Sequence, residues 1–423
     1  MAANQAPSTR RVLAASLIGT GIEFYDFYVY ATAASLVFGE LFFPSADKAT
    51  QQLAAFASLG VAFIARPLGS IFFGHFGDRI GRKSTLVASL LMMGVSTTLV
   101  AFLPTYAAAG WWAPLLLCVL RFGQGFGLGG EWGGAALLAV EHAPPGWRAR
   151  FGMFPQLGAP AGFLAANGFF LLLGLWLSPE QFHDWGWRVP FAVSAFLVVV
   201  GLWIRLKLAE TPQFAAALAA AEPPKVPLVT LIRTEPGALL GGTLGAIACF
   251  VLYYLATAFA LGYGVKTLGY TMQQMLSVQL GAILLMAVGI VAAAWAADRH
   301  WDERRVLIGG CVGAILLGFL VAPLMGSGSL WELFLFLALA LFVMGFTYGP
   351  LGGWLPSLYQ PLVRYTGVSM AFNVAGILGG GLTPFAAQAL ATRGGLSLVG
   401  LYCSGLAVIS LVALIALGRV KKA

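Results

Sequence analysis

Long apolar runs alternate with short polar breaks along the whole chain. Twelve runs are long enough to cross a membrane, at about 12–38, 51–76, 84–103, 113–140, 151–177, 189–208, 236–262, 275–297, 306–326, 330–350, 367–391 and 396–418. A bilayer core takes about 20 residues of helix, and backbone groups in lipid must be satisfied within each span. The runs are too long for barrel strands. The predicted fold class is therefore an all-α polytopic membrane protein with twelve transmembrane helices, an even number that puts both termini on one side.

Two polar breaks organise this pattern. Residues 74–83, GHFGDRIGRK, are expected to form a tight turn at one membrane face. Residues 209–235, AETPQFAAALAAAEPPKVPLVTLIRTE, are long, proline-bearing and charged, and read as a cytoplasmic linker between six-helix halves at 1–208 and 236–423. A weak repeat supports the split, because Asp298, Arg299, Arg304 and Arg305 follow the eighth run as Asp78, Arg79, Arg82 and Lys83 follow the second. Two six-helix halves around a midplane site are the layout of many secondary transporters.

Composition agrees with the pattern and charge adds orientation. Hydrophobic residues make up 59% of the chain and charged ones 9%, against about 25% charged in soluble domains. Mean hydropathy is +0.86. Of the 24 Lys and Arg, only Lys48, Arg188, Lys266 and Arg393 fall in breaks on the side away from the termini, whereas 18, Arg205 among them, fall on the terminal side. That bias predicts cytoplasmic termini. The net charge of +8 then reflects topology and anionic headgroups, not nucleic acid. The first apolar run carries Glu23 and Asp26 and is read as a span, not a cleaved leader.

Other chemistry is set aside on spacing. The four cysteines sit in apolar runs, and His75, His142, His183 and His300 lie in or beside breaks without ligand spacing, so no metal or other cofactor is expected. GDRIGRKS at 77–84 has Arg82 where a phosphate-binding loop needs its second glycine, and it joins two apolar runs. No enzyme constellation is visible. The expected partners are a small-molecule substrate, protons and the lipid bilayer, with the protein a monomer.

Five charges fall well inside spans: Glu23, Asp26, Arg66, Arg121 and Glu131. A charge at the bilayer centre costs at least about 2.5–3.5 kcal/mol, which makes each a functional candidate. At about 1.5 Å per residue, Glu23, Arg66 and Glu131 lie roughly 15–17 Å deep, Asp26 roughly 21 Å and Arg121 nearer 30 Å. Glu23, Asp26 and Tyr30 share a helix face, so both acids are expected to point into one space. Three acids against two arginines leave one negative charge over. Asp26 or Glu131 is the favoured proton carrier, with Glu23 as a third acid and Arg66 or Arg121 modulating; static ion pairing between helices is the alternative. Gln156, Asn167, Tyr253, Tyr254, Tyr348, Trp354 and Asn373 are read together with the arginines and Tyr30 as lining of a polar cavity.

GHFGDRIGRK resembles the signature loop between the second and third helices of the major facilitator superfamily, and Asp298 to Arg305 resembles its degenerate second copy. RFGQGFG at Arg121 resembles the fourth-helix motif of that superfamily, and AETPQF its sixth-helix exit motif. GIEFYDFYVYATAA, ARPLG, GGEWGGA, FPQLGAPAG and RYTGVSMAFNVAGILGGGLTP together resemble the metabolite:proton symporter family over nearly the whole chain, closest in form to its shikimate-transporter branch. The resemblance implies a proton-coupled symporter of the bacterial inner membrane for a small polar metabolite, and the two buried arginines, which suit an anion, put an organic carboxylate first. A zwitterionic osmolyte, an organic cation, or exchange without proton coupling is the alternative. It also implies gating by Asp78, Arg79, Arg82, Lys83, Asp298 and Arg299, with Asp78 near the start of the eleventh helix around residues 365–367. Ser357 and Leu362 replace a glutamate and an arginine usual in the family, which leaves the second half's gate short of charge.

Overall fold

Peptide groups in hydrocarbon can be satisfied only within a span or a closed barrel, and the apolar runs form helical rods joined by short turns. The computed structural model describes residues 9–45, 47–80, 82–206 and 226–418, except the side chains of 9–11, 79, 80, 82 and 83. The rods are α1 (Val12–Phe42), α2 (Lys48–Ile80), α3 (Arg82–Val100), α4 (112–140), α5 (Arg148–Trp176) and α6 (Arg188–Leu206), then α7 (Pro236–Lys266), α8 (Met272–Arg299), α9 (303–325), α10 (Leu330–Ser357), α11 (364–393) and α12 (396–416). Among the described residues there is no strand.

Several rods overrun the apolar segments that predict them. The 74–83 stretch is not the expected tight turn: α2 is helical to Ile80 and α3 resumes at Arg82. At about 1.5 Å per residue, the 33 residues of α2 span some 50 Å, beyond a hydrocarbon core of about 30 Å. Past that boundary the backbone keeps its own bonds, and Asp78 finds a partner in Thr366, so nothing forces the helix to end. Residues 207–225, which include most of the expected linker, lie outside the described residues, and Pro227–Thr234 is a short helix. The α11–α12 boundary is made by Gly394 and Gly395. Gly395 has φ +73°, ψ −172°, a region open in practice only to glycine.

Packing sets up the centre. α5 runs along both α1 and α8, α8 along α10, and α2 along α4 and α11. α7 is buried almost continuously from 241 to 262, whereas only about a third of α6 is buried. Large apolar residues such as Ile64, Leu175, Phe196 and Leu316 are exposed on the outside, as expected of surfaces solvated by lipid.

Candidate functional site

A cavity of ≈ 20 Å³ lies where the two sets of rods meet. α1 contributes Glu23 and Tyr28, α2 Arg66, α4 Trp132, α7 Tyr253 and Tyr254, α10 Tyr348, and α11 Phe372 and Asn373. Its volume holds about one water, so this is a closed form.

Glu23 is 4% exposed, and its Oε2 has no hydrogen-bond partner. The Arg66 guanidinium lies 4.6 Å from the ring centres of both Phe27 and Phe63, where the ring quadrupoles attract it. Its Nε is unpartnered. Glu23 and Arg66 thus line one cavity with no ion pair between them among the described residues.

Asp26 does not share that cavity, although the helix-face argument places it there. Ser194 of α6 donates to its Oδ1 at 2.5 Å. Three residues turn a helix by about 300°, leaving i+3 some 60° off the face of i, and that offset carries Asp26 out of the cavity toward α6. Arg121 is likewise behind the wall. Its guanidinium lies 3.9 Å from the Tyr30 ring centre and 4.6 Å from that of Phe27, and Nη1 donates to Gln124. Gln124 in turn donates to the Asp26 carbonyl at 3.0 Å and to Thr97 at 2.8 Å. The Tyr30 hydroxyl pairs with Ser58 at 2.7 Å.

Glu131 is paired with a residue that sequence reasoning missed. Arg205, counted above among the cations of the breaks, is 4% exposed; its Nη2 donates to Glu131 and its Nη1 to the Leu86 carbonyl at 2.7 Å. Helical side chains lean toward the N-terminus of their helix. A residue in the last turn of α6 therefore sends its head group back into the bundle. With Arg205 included, the acids expected inside spans, Glu23, Asp26 and Glu131, are matched in number by Arg66, Arg121 and Arg205, and the surplus counted above disappears; Asp78 and Glu141 are buried as well, at rod ends.

The remaining predicted residues divide. Tyr253, Tyr254, Tyr348 and Asn373 line the cavity. Gln156 stands behind it, accepting from Trp132 Nε1 at 2.9 Å and donating to the Tyr348 carbonyl at 2.8 Å. Asn167 lines a second, smaller cavity with Gln279, another residue the sequence reading passed over. Trp354 lines neither; it packs near Gly245. Polar residues inside apolar runs are the only sequence signal that could have found Gln279.

The face where the chain begins is closed by contacts between the two sets. Trp132 stacks on Phe372 at 3.6 Å, and Asn373 Nδ2 donates to Ser70 Oγ at 2.8 Å and to the Gly129 carbonyl at 2.9 Å. Asp78 accepts from the Thr366 hydroxyl at 2.8 Å and from its backbone N–H at 3.3 Å, at the start of α11 where the helix dipole favours a carboxylate. Asp298 does the same for α5, accepting from Ala149 N–H at 3.0 Å and from the backbone N–H and Nε of Arg150, each at 2.9 Å. Arg299 instead lies 5.0 Å from the ring of Trp295 on its own helix. The side chains of Arg79, Arg82 and Lys83 lie outside the described residues. On the opposite face, Gln273 donates to the Gly174 carbonyl at 2.8 Å and Ser35 to that of Ala258 at 3.3 Å.

The sequence profile of the sugar (and other) transporter family matches residues 12–225. A protein of Escherichia coli strain K12 named inner membrane metabolite transport protein YhjE is 48% identical over 412 residues, covering 96% of this chain and 94% of its own length. The shikimate transporter of the same strain is 37% identical over 385 residues, covering 90% and 88%. Among solved structures, the partially occluded inward-open conformation of the xylose transporter XylE from E. coli has a TM-score of 0.77 at 14% identity, covering 98% of this chain and 99% of that one. At that identity the likeness concerns the fold alone.

Proposed function

This chain belongs to the sugar (and other) transporter family of the major facilitator superfamily, and from that premise we propose that it is a proton-coupled symporter carrying a small organic carboxylate across the bacterial inner membrane. The observation that carries the proposal is the enclosed cavity holding Arg66 and Glu23 without an ion pair between them. A guanidinium that lies against two rings and has no hydrogen bond or ion pair among the described residues keeps its donors for a planar carboxylate. Among the described residues Glu23 is the interior acid with no hydrogen bond to its carboxylate, whereas Asp26 and Glu131 each keep one oxygen unpartnered but accept on the other, which leaves Glu23 most open to a proton. Glu23 is therefore the proton carrier in this reading; Asp26 is engaged by Ser194 and Glu131 by Arg205.

The cycle follows alternating access. Residues 1–208 and 236–423 rock about the cavity, 209–235 link them, and both termini are cytoplasmic. The substrate anion docks on Arg66 from the periplasm while Glu23 takes a proton, so the pair crosses without net charge. The Asp78–Thr366 and Asp298–Arg150 contacts then break to open the cytoplasmic side. The protein acts as a monomer. One observation favours a second reading: Glu23 and the rings of Tyr28, Trp132 and Tyr253 share the cavity with Arg66, which also suits the two ends of a zwitterion.

The test is uptake of labelled carboxylates into proteoliposomes containing the purified protein. Uptake driven by an acid-outside pH gradient is expected. Carboxylate counterflow that ignores the gradient overturns proton coupling, and inhibition by zwitterions but not by carboxylates favours the second reading.

A further inference from the structure

Beside the Arg66 cavity lies a second pocket of ≈ 10 Å³, and Tyr28, Tyr253 and Tyr254 line both. Its chemistry differs, because among the described residues no charged side chain lines it. Besides the three tyrosines, its polar side chains are Thr32 and Ser35 on α1, Asn167 on α5, Thr257 on α7 and Gln279 on α8, so it spans both sets of rods.

Two buried amides there are half satisfied. Asn167 is 1% exposed; its Oδ1 accepts from the Thr32 hydroxyl, and its Nδ2 has no partner. Gln279 is 0% exposed; its Nε2 donates to the carbonyls of Ala256 at 3.0 Å and Thr257 at 2.8 Å, and its Oε1 has no partner. Those carbonyls lie in the π-helical turn Leu255–Phe259 of α7, whose wide winding offsets backbone groups from their usual acceptors. The turn therefore occupies the amide nitrogen of Gln279 and leaves its oxygen over. Leaving a buried polar group unmet is costly, so both amides favour a ligand that completes them. One pocket holding a spare donor and a spare acceptor is the complement of a hydroxyl, which accepts and donates at once. Its volume suits a group of that size.

We infer that this pocket is a hydroxyl subsite, in which Asn167 Nδ2 donates to a substrate hydroxyl and Gln279 Oε1 accepts from it. With a carboxylate on Arg66, the transported class is a hydroxycarboxylic acid, preferred over its deoxy analogue. The carboxylate end rests on the function proposed above; the hydroxyl end does not.

The experiment measures ligand-induced thermal stabilisation of the purified full chain, titrated with pairs of carboxylates differing by one hydroxyl. The wild type is expected to bind the hydroxylated member about tenfold more tightly, the worth of one well-made hydrogen bond. Asn167→Ala, which removes the donor, and Gln279→Met, which removes the acceptor, each bring that ratio to within about threefold by weakening only the hydroxylated member. Thr32→Val, which leaves both spare groups in place, keeps the preference. Equal binding of the pair by the wild type, or equal weakening of both members in whichever variants fold, overturns the subsite. If no carboxylate stabilises the wild type, the carboxylate proposal fails, and pairs of neutral polyols and their deoxy analogues decide the subsite by the same ratio. Absence of a preference there overturns the subsite too.

Discussion

Residues 12–206 and 226–418 each supply six rods, yet they divide the charge unequally. Among the described residues, every wholly buried charged residue belongs to the first set: Glu23, Asp26, Arg66, Asp78, Arg121, Glu131, Glu141 and Arg205. The second set buries amides, hydroxyls and rings instead, such as Gln279, Asn373, Thr347 and Phe372. Its nearest approach to a buried charge is Asp298, whose carboxylate is covered by the start of α5. Charges in a low-dielectric interior hold one another at defined distances and are costly to separate. The first set therefore keeps most of its buried charge within itself, and the charged contacts between the sets are confined to the pairs Arg150–Asp298 and Arg364–Glu141 among the described residues.

The same comparison revises the expectation about the gate. Ser357 and Leu362 do lack the charges usual in the family, and Ser357 only donates to the Trp354 carbonyl at 2.6 Å. The closure on that side is made elsewhere. Arg364 Nη1 lies 3.6 Å from Glu141 Oε1, Arg148 Nε donates to the Gly353 carbonyl at 3.0 Å, and Gly152 meets Gly352 so closely that a Cβ on Gly152 would lie 2.8 Å from the Gly352 carbonyl carbon. An ion pair from Arg364, an arginine–carbonyl bond and a close backbone approach stand where charges at 357 and 362 were expected.

Five substitutions, the first with a compensating second change, would break or sharpen the contrast, most of them measured as unfolding of the purified protein in detergent. The largest effect is expected for Arg205→Met, which leaves the buried Glu131 carboxylate unpaired and should cost about 3–5 kcal/mol. Adding Glu131→Gln should restore most of it, and a double variant no better than the single would remove the ion-pair account. In the second set, Asn373→Ala deletes donors to Ser70, Gly129 and Ser369 and should cost about 1–3 kcal/mol. Because two of those acceptors belong to the first set, the variant should also label more readily at cysteines placed on the Trp132–Phe372 floor. Unchanged labelling would mean that Asn373 does not hold that side closed.

Phe27→Leu removes the ring that Arg66 and Arg121 share and should cost about 1–2 kcal/mol. The matching change Phe372→Leu should weaken closure without altering the pH dependence of uptake, and a pH profile moved equally by both would erase the distinction between the sets. Glu23→Gln is expected to leave stability unchanged or slightly raised, since it removes a buried carboxylate whose Oε2 has no partner. Counterflow exchange should persist while acceleration by an imposed pH gradient is lost. A variant that still responds to the gradient would move the proton to another acid.

How far the sequence reached depends on the kind of signal. Glu23 and Arg66 were visible because a charge inside an apolar run is expensive wherever it points, and both line the cavity. Asp26 and Arg121 carry the same signal and lie behind the wall, because depth and helical face fix a side chain only to within about 60°, and the neighbouring rods decide the rest. Arg205 was hidden for the opposite reason. It sits one residue before the end of α6, where a cation looks like part of a hydrated break, and only the lean of its side chain takes it to Glu131.

By itself, the chain determined twelve helical rods and an interior with a few costly charges, because hydrocarbon leaves the backbone no other way to satisfy itself and penalises each ion separately. The unpaired placing of Glu23 and Arg66, the Arg205–Glu131 pair and the neutral pocket between Asn167 and Gln279 were decided only in three dimensions. They depend on which rods face each other, and each pairing joins side chains whose separation in the sequence carries no trace of the contact.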